Sequence, residues 1–307
     1  MSRGSAFVEK IWFHPSGAEK LLSAALLPLG MLYGSAMALR RRLVKRRRFP
    51  VPVVSVGNLL VGGSGKTPTV IALASRYPDA AVVSRGYGRK SRGLRVVSEG
   101  GVLRCDVEES GDEAMLMARS LSEASVIVSE DRSAGIEKAI ELGAKIVFLD
   151  DGFNRVEIEK FEILLEPASV PNRRVMPAGP FREFPSTASQ ADLLLKEGRD
   201  FRRIVKVEHP TEAMLLATSI ARPERLEPWL PAGVVGRVAL SDHAWFDEEQ
   251  LRRQMERCGA RSLLVTEKDA VKMEGFKLPL SLLRLELEFS SALFDAVESY
   301  RKEFYAS

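Results

Sequence analysis

Beyond Pro50 the chain alternates short, mostly apolar runs with longer stretches of helical periodicity. The runs VPVVSV (51–56), AAVVS (80–84), SVIVS (125–129), KIVFL (145–149), FEILL (161–165) and DLLL (192–195) carry apolar residues at successive positions rather than at every second one. That is the pattern of strands buried on both faces. Residues 112–122 and 132–142 read as helices between them. Buried strands alternating with helices predict an α/β fold whose parallel sheet is covered on both faces. From about residue 205 a second pattern begins, with a helix near 247–257, a strand at 262–265 and a closing helix near 291–304. The predicted organisation is an N-terminal helix and basic run over 1–49, a core over 50–205, and a smaller C-terminal α/β domain over 206–307 with its closing helix.

The N-terminal part has a different texture. Leu21 to Leu39 are nineteen residues without a charge, followed at once by RRRLVKRRR, Arg40 to Arg48. Ser16 and Glu19 have capping-box spacing, so a helix is predicted to start there. Nineteen uncharged residues just reach across a bilayer core, but Pro28, Gly30 and Gly34 interrupt them. The charges follow the apolar run instead of preceding it, which argues against a cleaved signal peptide. Two readings stand: a kinked helix packed into its own protein, or a membrane-associated helix with its arginines on anionic headgroups. In the second, the positive-inside rule places the chain after residue 40 on the cytoplasmic side.

Charge sharpens this division. The net +4 of the 307-residue chain hides a first fifty residues with ten Lys/Arg against two Glu, leaving 35 against 39 in the remainder. The bulk of the protein therefore lacks the basic excess of a nucleic-acid binder, and no aromatic residues interleave the arginine run. At 45% hydrophobic and 28% charged the composition is globular. Its two cysteines, Cys105 and Cys258, provide neither a disulfide framework nor metal-ligand spacing.

Candidate chemistry begins where the first predicted strand ends. Leu60-Val61-Gly62-Gly63-Ser64-Gly65-Lys66-Thr67 leads into a helix from about Pro68. Glycines let backbone N–H groups converge on a phosphate, Lys66 can reach the β- and γ-phosphates, and the Thr67 hydroxyl suits Mg²⁺. The strict phosphate-loop pattern has glycine at position 60, where this chain has Leu60. The strand KIVFL ends in Asp150-Asp151, and a carboxylate there suits Mg²⁺ beside a phosphate loop. Thr266-Glu267-Lys268-Asp269 has the letters of a guanine-reading motif without its spacing, which argues against GTP. A kinase also needs a group to take the acceptor's proton. Asp112 is a candidate, but Ser110 and Glu113 also have capping-box spacing, so the residues alone leave it between a base and a first-turn acid.

Taken together, the motifs resemble the tetraacyldisaccharide 4′-kinase family, the lipid A 4′-kinases of Gram-negative bacteria. The matching pieces are SVGNLLVGGSGKTP (55–68), SRGYGRK (84–90), SGDEA (110–114), SEDR (129–132), LDDGF (149–153), PAGPFRE (177–183), SDH (241–243) and TEKDAVK (266–272). The resemblance implies a P-loop NTPase-like core, ATP and Mg²⁺, and transfer of a phosphate to the 4′-hydroxyl of a tetraacyl disaccharide 1-phosphate. It also implies an N-terminal helix on the cytoplasmic face of the inner membrane. By the same resemblance Lys66 and Thr67 bind phosphate and Mg²⁺, Asp150 and Asp151 form the acidic pair, and Asp112 is the base with His243 as its partner. Tyr87 and Arg132 fall at headgroup contacts, Arg182 and Glu183 near the site. Two departures stand out. Asn154-Arg155 replaces the family's Gln-His, where Arg155 could meet a phosphate, and Ala244 follows His243 where the family often has a second His. Asp112 and His243 fall in different predicted domains and are expected to meet only when the smaller domain closes. The alternative function is a membrane-anchored P-loop ATPase acting as a switch or recruitment factor.

Overall fold

The computed structural model describes residues 3–13, 15–220 and 222–306. Three helices open the chain, α1 (Arg3–Phe13), α2 (Gly17–Ala25) and α3 (Leu27–Leu43). The core follows as β1 (Val53–Gly57), α4 (Lys66–Ala74), β2 (Ala80–Ser84), β3 (Arg95–Glu99), β4 (Val102–Leu103), α5 (Val107–Ser110), α6 (Asp112–Ser120), β5 (Ser125–Val128), α7 (Arg132–Glu141), β6 (Ile146–Asp150), β7 (Phe161–Glu166) and β8 (Leu193–Lys196). The second lobe contains β9 (Phe201–Glu208), β10 (Met214–Thr218), β11 (Val234–Ala239), α8 (Glu248–Cys258), β12 (Ser262–Thr266), α9 (Glu267–Ala270) and β13 (Leu280–Phe289), before α10 (Ser291–Ala306) ends the chain.

The first sheet has the order β4-β3-β5-β2-β6-β1-β7-β8, parallel from β5 to β8 with β3 and β4 antiparallel at one edge. Its apolar runs feed two cores because successive side chains point to opposite faces. Val54, Val56, Val82, Val126 and Phe148 pack with α4 and α6 on one face, while Val53, Val83, Ile127, Val147 and Leu149 pack with Ile136 and Ala139 of α7 on the other. The edge strand β3 is short and more than half polar, and β4 is only two exposed apolar residues, so neither carries a sustained apolar run.

The second sheet, β11-β10-β12-β13-β9, is parallel except for β9. Its first strand begins at Phe201, slightly before the expected boundary. The long β9–β13 ribbon carries the chain into this lobe and back out. The closing helix was expected to belong to the smaller domain, and the structure corrects this: Leu293 and Val297 of α10 are buried in the core of the first sheet beside α4 and α6.

The N-terminal helix breaks as Pro28 leads one to expect: α2 and α3 meet at Leu26 with a 51° bend. Among the described residues no single helix is long and apolar enough to cross a membrane, although α2 and α3 together reach that length and composition. One face of the pair packs on the core. A Cβ at Gly30 would lie 2.7 Å from the Val175 carbonyl, and one at Gly34 2.6 Å from the Phe184 ring. The opposite face leaves Leu21 (75%), Leu29, Met31, Leu32 (70%), Leu39 and Leu43 exposed. The packed face is the one that the first of the two sequence readings describes. The predicted capping box at Ser16 forms differently: its hydroxyl donates to the Glu19 carboxylate at 2.8 Å, and the Ser16 carbonyl accepts from the Glu19 N–H.

Candidate active site

The registers of β1 with β6, Val56 opposite Asp150, place the acidic strand end beside the loop that follows β1. A ligand crevice at the carboxyl ends of parallel strands is the expected place for a site in such a sheet. That loop turns at Gly62 (φ 106°) and enters α4 through Gly65 (φ 90°), both left-handed positions that favour glycine. Position 60 does not need glycine here. Leu60 pairs in an antiparallel bridge with Phe181 and its side chain is buried among Leu59, Phe153 and Phe181, so the loop is anchored through its first residue. Val61 to Thr67 then line one wall of a cleft between the lobes, with Leu60 beneath it.

Lys66 Nζ lies 3.3 Å from Asn58 Oδ1 and 3.7 Å from Asp151 Oδ1. The two aspartates differ sharply. Asp150 is buried, accepts only a 3.3 Å hydrogen bond from Ser84 on Oδ2, and its Oδ1 has no partner. Burial, together with the nearby Glu113 carboxylate, pushes its carboxyl up to about 7. Asp151 sits at φ 53° and is clamped by Arg182 at 2.8 and 3.1 Å. Burial pushes Asp151 upward, but Lys66 and Arg182 outweigh it and hold the carboxyl below its usual range. Asp150 is thus the carboxylate with an oxygen to offer a cation, whereas Asp151 is engaged by two cations already. Among the described residues no group of three or more acidic, His or Cys side chains could enclose a metal. A cation at Asp150 would therefore complete its shell with Thr67, phosphate and water. Ser64 Oγ, Arg132 Nε and Arg155 Nε are likewise buried without partners beside the cleft. Unpaired buried polar atoms gathered around one crevice are the mark of a site for a polar ligand.

Across the cleft stand the groups expected to handle a proton. His243 Nδ1 lies 2.9 and 3.0 Å from the two oxygens of Asp112, so the expected separation does not occur: the lobes in this structure already join the pair. Asp112 is not part of a capping box. The N-cap of α6 is Gly111, and the Ser110 hydroxyl bonds to the Asp106 and Gly111 carbonyls instead. Burial would raise the Asp112 carboxyl, but the His243 hydrogen bond and the Lys268 and Lys272 ammonium groups hold it below the usual range. Of the pair, His243 lines the cleft and Asp112 lies behind it. His243 takes φ 59° on a loop fixed by its N–H to the Ser219 carbonyl. Gly88 leaves room for its ring, since a Cβ there would come within 3.0 Å of it, and Tyr87 packs against it with centroids 4.8 Å apart.

The remaining expected residues divide. Tyr87, Arg132, Arg155 and Arg182 line the cleft. Arg132, buried beside Asp150, donates to the Ser129 carbonyl. Burial and the neighbouring Arg155 lower it to about 10. Glu183 does not face a substrate. It is buried and held by both oxygens in the fork of Arg41, which also stacks on the Phe153 ring at 4.3 Å. The arginine run is therefore internal at Arg41 and half-buried at Arg40, which pairs with Glu157, whereas Arg42, Lys45, Arg46 and Arg47 are exposed, Arg47 pairing with Glu137 at the surface. Sequence reasoning missed Arg222 and Arg225, which reach the phosphate loop from the second lobe. Arg225 donates to the Gly63 carbonyl at 2.6 Å, and Arg222 packs over Gly62. No motif marks them. It also gave no role to Lys268, Asp269 and Lys272, although TEKDAVK stood out as a run.

Comparison with known proteins follows the same lines. The sequence model of the tetraacyldisaccharide-1-P 4′-kinase (LpxK) family matches residues 22–214 and 203–301. The chain is 43% identical over 301 residues to a tetraacyldisaccharide 4′-kinase of Helicobacter pylori, covering 98% of this chain and 96% of that protein. It is 41% identical over 308 residues to one of Aliarcobacter butzleri, covering 97% and 98%. A crystal structure of LpxK from Aquifex aeolicus in complex with ATP superposes with a TM-score of 0.77 at 30% identity, covering 91% of this chain and 99% of the other.

Proposed function

This chain belongs to the tetraacyldisaccharide-1-P 4′-kinase family, and from that premise we propose how its own residues share the work of the reaction. It is an ATP-dependent kinase that phosphorylates the 4′-hydroxyl of a tetraacyl disaccharide 1-phosphate, a precursor of lipid A. The loop from Val61 to Thr67 receives the ATP phosphates on its backbone N–H groups and the start of α4. Lys66 holds the β- and γ-phosphates. Thr67 and Asp150 would hold Mg²⁺, which when bound would neutralise the charge that develops on the transferred phosphate. Asp151 positions Lys66 and Arg182 rather than a metal. Arg132, Arg155 and Tyr87 face the acceptor headgroup.

In the transfer, the 4′-oxygen forms a bond to the γ-phosphorus as the bond from that phosphorus to the β-bridging oxygen breaks. ADP leaves with that electron pair, and the hydroxyl proton passes to the Asp112–His243 pair. The 2.9 Å contact of this pair across the cleft from the phosphate loop is the observation that carries the assignment. We further propose that the apolar outer face of α2 and α3, with Arg42, Lys45 and Arg46, rests on an anionic membrane at the cytoplasmic face of a Gram-negative inner membrane. This would bring an acylated substrate to the cleft without withdrawing it into water.

Turnover of ATP with and without tetraacyl disaccharide 1-phosphate tests the reading. The kinase assignment expects a doubly phosphorylated lipid and little hydrolysis without it, whereas a switch ATPase would hydrolyse ATP without lipid. Asp112→Ala and His243→Ala should each lower kcat by about 10²–10⁴, the worth of general acid–base catalysis. The double variant should cost little more than the worse single one, because the pair acts as a unit. Fully additive losses would break the pairing.

A further inference from the structure

The run TEKDAVK places two ammonium groups one helical turn apart, Lys268 on α9 and Lys272 on the 3₁₀ turn that continues it. Both point at the same carboxylate. Lys272 is buried, with Nζ 3.5 Å from Asp112 Oδ2, 3.2 Å from Asp269 Oδ1 and 3.3 Å from the Ala244 carbonyl, and it also donates to Ser219 Oγ. Asp269 in turn is fully buried and holds Thr218, Ser219 and Thr266 at the ends of β10 and β12. The carboxylate of one lobe is thereby fastened to the strand ends of the other, and the loop bearing His243 is fastened with it.

Lys268 stands on the open side. Its Nζ lies 3.5 Å from His243 Nε2, 3.9 Å from Asp112 Oδ2, 3.2 Å from Glu113 and 3.7 Å from Asp242. An ammonium group only donates, so a proton on Nε2 would face it head-on, while a proton on Nδ1 meets the Asp112 carboxylate. Asp242 Oδ2, 3.5 Å from Nε2, pulls the other way, but its carboxylate is itself shared with Lys268.

We propose that Lys268 is a positioning residue for the proton-accepting pair, keeping the proton of neutral His243 on Nδ1 and the negative charge on Asp112, so that Nε2 stays unprotonated at the cleft beside Lys268. This rests on the reading of Asp112 and His243 as that pair. The groups facing Asp112 are His243, Lys268, Lys272 and the Glu113 N–H; those facing His243 are Asp112, Lys268, Asp242 and the Tyr87 ring. Lys268 loses part of its hydration to burial, yet Glu113, Asp112 and Asp242 more than restore its charged form.

The chain has three histidines, so ¹⁵N–¹H correlation spectra of the imidazole nitrogens, with His243→Gln to assign the signal, report the tautomer directly. Wild type should show neutral His243 with its proton on Nδ1, Lys268→Gln a mixture of tautomers, and Lys268→Arg the wild-type pattern. In the same Gln variant the acid limb of kcat should rise by about one pH unit, since an opposite charge within reach of a carboxylate lowers its pKa by about 1–3 units. Its kcat at neutral pH should fall about tenfold or more, in the direction of the losses that follow a wrong histidine tautomer. The tautomer decides. If Lys268→Gln keeps the proton on Nδ1, the proposal is overturned whatever happens to the rate. Full activity of Asp112→Ala would instead overturn the base-pair reading, and the two failures are read from different variants.

Discussion

Lys66 shows how much a single group carries. It reaches toward Asn58 and Asp151 from the start of α4 and has no part in the apolar cores, so Lys66→Ala should leave the melting temperature nearly unchanged. It should lower kcat about 100-fold or more, as deletion of a preorganised electrostatic group does. Asp112 is different, because beside the proposed reactive role it has a structural one. Its pKa is lower folded than unfolded, so ionisation stabilises the fold at all pH values above the unfolded carboxylate value. That stability is lost as pH falls through the folded value. Asp112→Asn, which removes the charge faced by His243, Lys268 and Lys272 while Asp269 still pairs Lys272, should cost about 1–3 kcal/mol at neutral pH. Urea titrations of the two proteins should show the gap narrowing below about pH 4. Residue identities were largely legible: a glycine loop ending in Lys-Thr and an apolar strand ending in Asp announce their chemistry by type and spacing. Their pairings were not. Glu183 was placed near the site by its motif and is instead the partner of Arg41, a contact between residues 142 positions apart.

At the scale of elements, the buried strands of the first sheet and β12 were found by their apolar runs; β3 and β4 were missed because they are short with mostly exposed positions, β9, β11 and β13 because polar or exposed positions interrupt them, and β10, although buried throughout, because its run is only five residues long. The helix α3 joins both properties. Gly30 and Gly34 let its backbone approach Val175 and Phe184, and Leu29 and Leu32 face away. Gly34→Ala would set a methyl 2.6 Å from the Phe184 ring, so thermal denaturation should show a loss of about 1–3 kcal/mol, the usual cost of overpacking. Replacing Leu29 and Leu32 by Ser should leave ATP binding unchanged and weaken pelleting with anionic vesicles about tenfold or more, since each buried leucine is worth up to about 2 kcal/mol. Changing Arg42, Lys45 and Arg46 to Gln should remove a further, salt-sensitive part, roughly 1 kcal/mol for each charge.

For the whole molecule, the N-terminal segment is not a detachable anchor. The sequence alone gives no reason why residues 1–48 could not be removed from an intact kinase. The structure shows Arg41 forked onto buried Glu183, Ser23 bonded to the Ala178 carbonyl, and Tyr33 packed on the cluster around Leu60 and Phe181. A chain starting at residue 49 should therefore melt at lower temperature in scanning calorimetry and lose ATP affinity along with its fold. The surface variants of α3, by contrast, should lose only membrane binding.

What the sequence determined by itself is what is local or periodic. The positions of the apolar strands of the first sheet, the phosphate loop and its following helix, the acidic strand end, and the break at Pro28 all follow from residue type, neighbour and spacing. What only the tertiary structure decided is which distant groups share a site. Asp112 meets His243 across 131 positions, Lys268 and Lys272 converge on the same carboxylate, Arg225 crosses from the second lobe to Gly63, and α10 returns to the first core. The physical reason is that these contacts depend on how two sheets are set against each other through the β9–β13 ribbon. That packing is fixed by the sum of many buried apolar contacts, and no short window of sequence contains it.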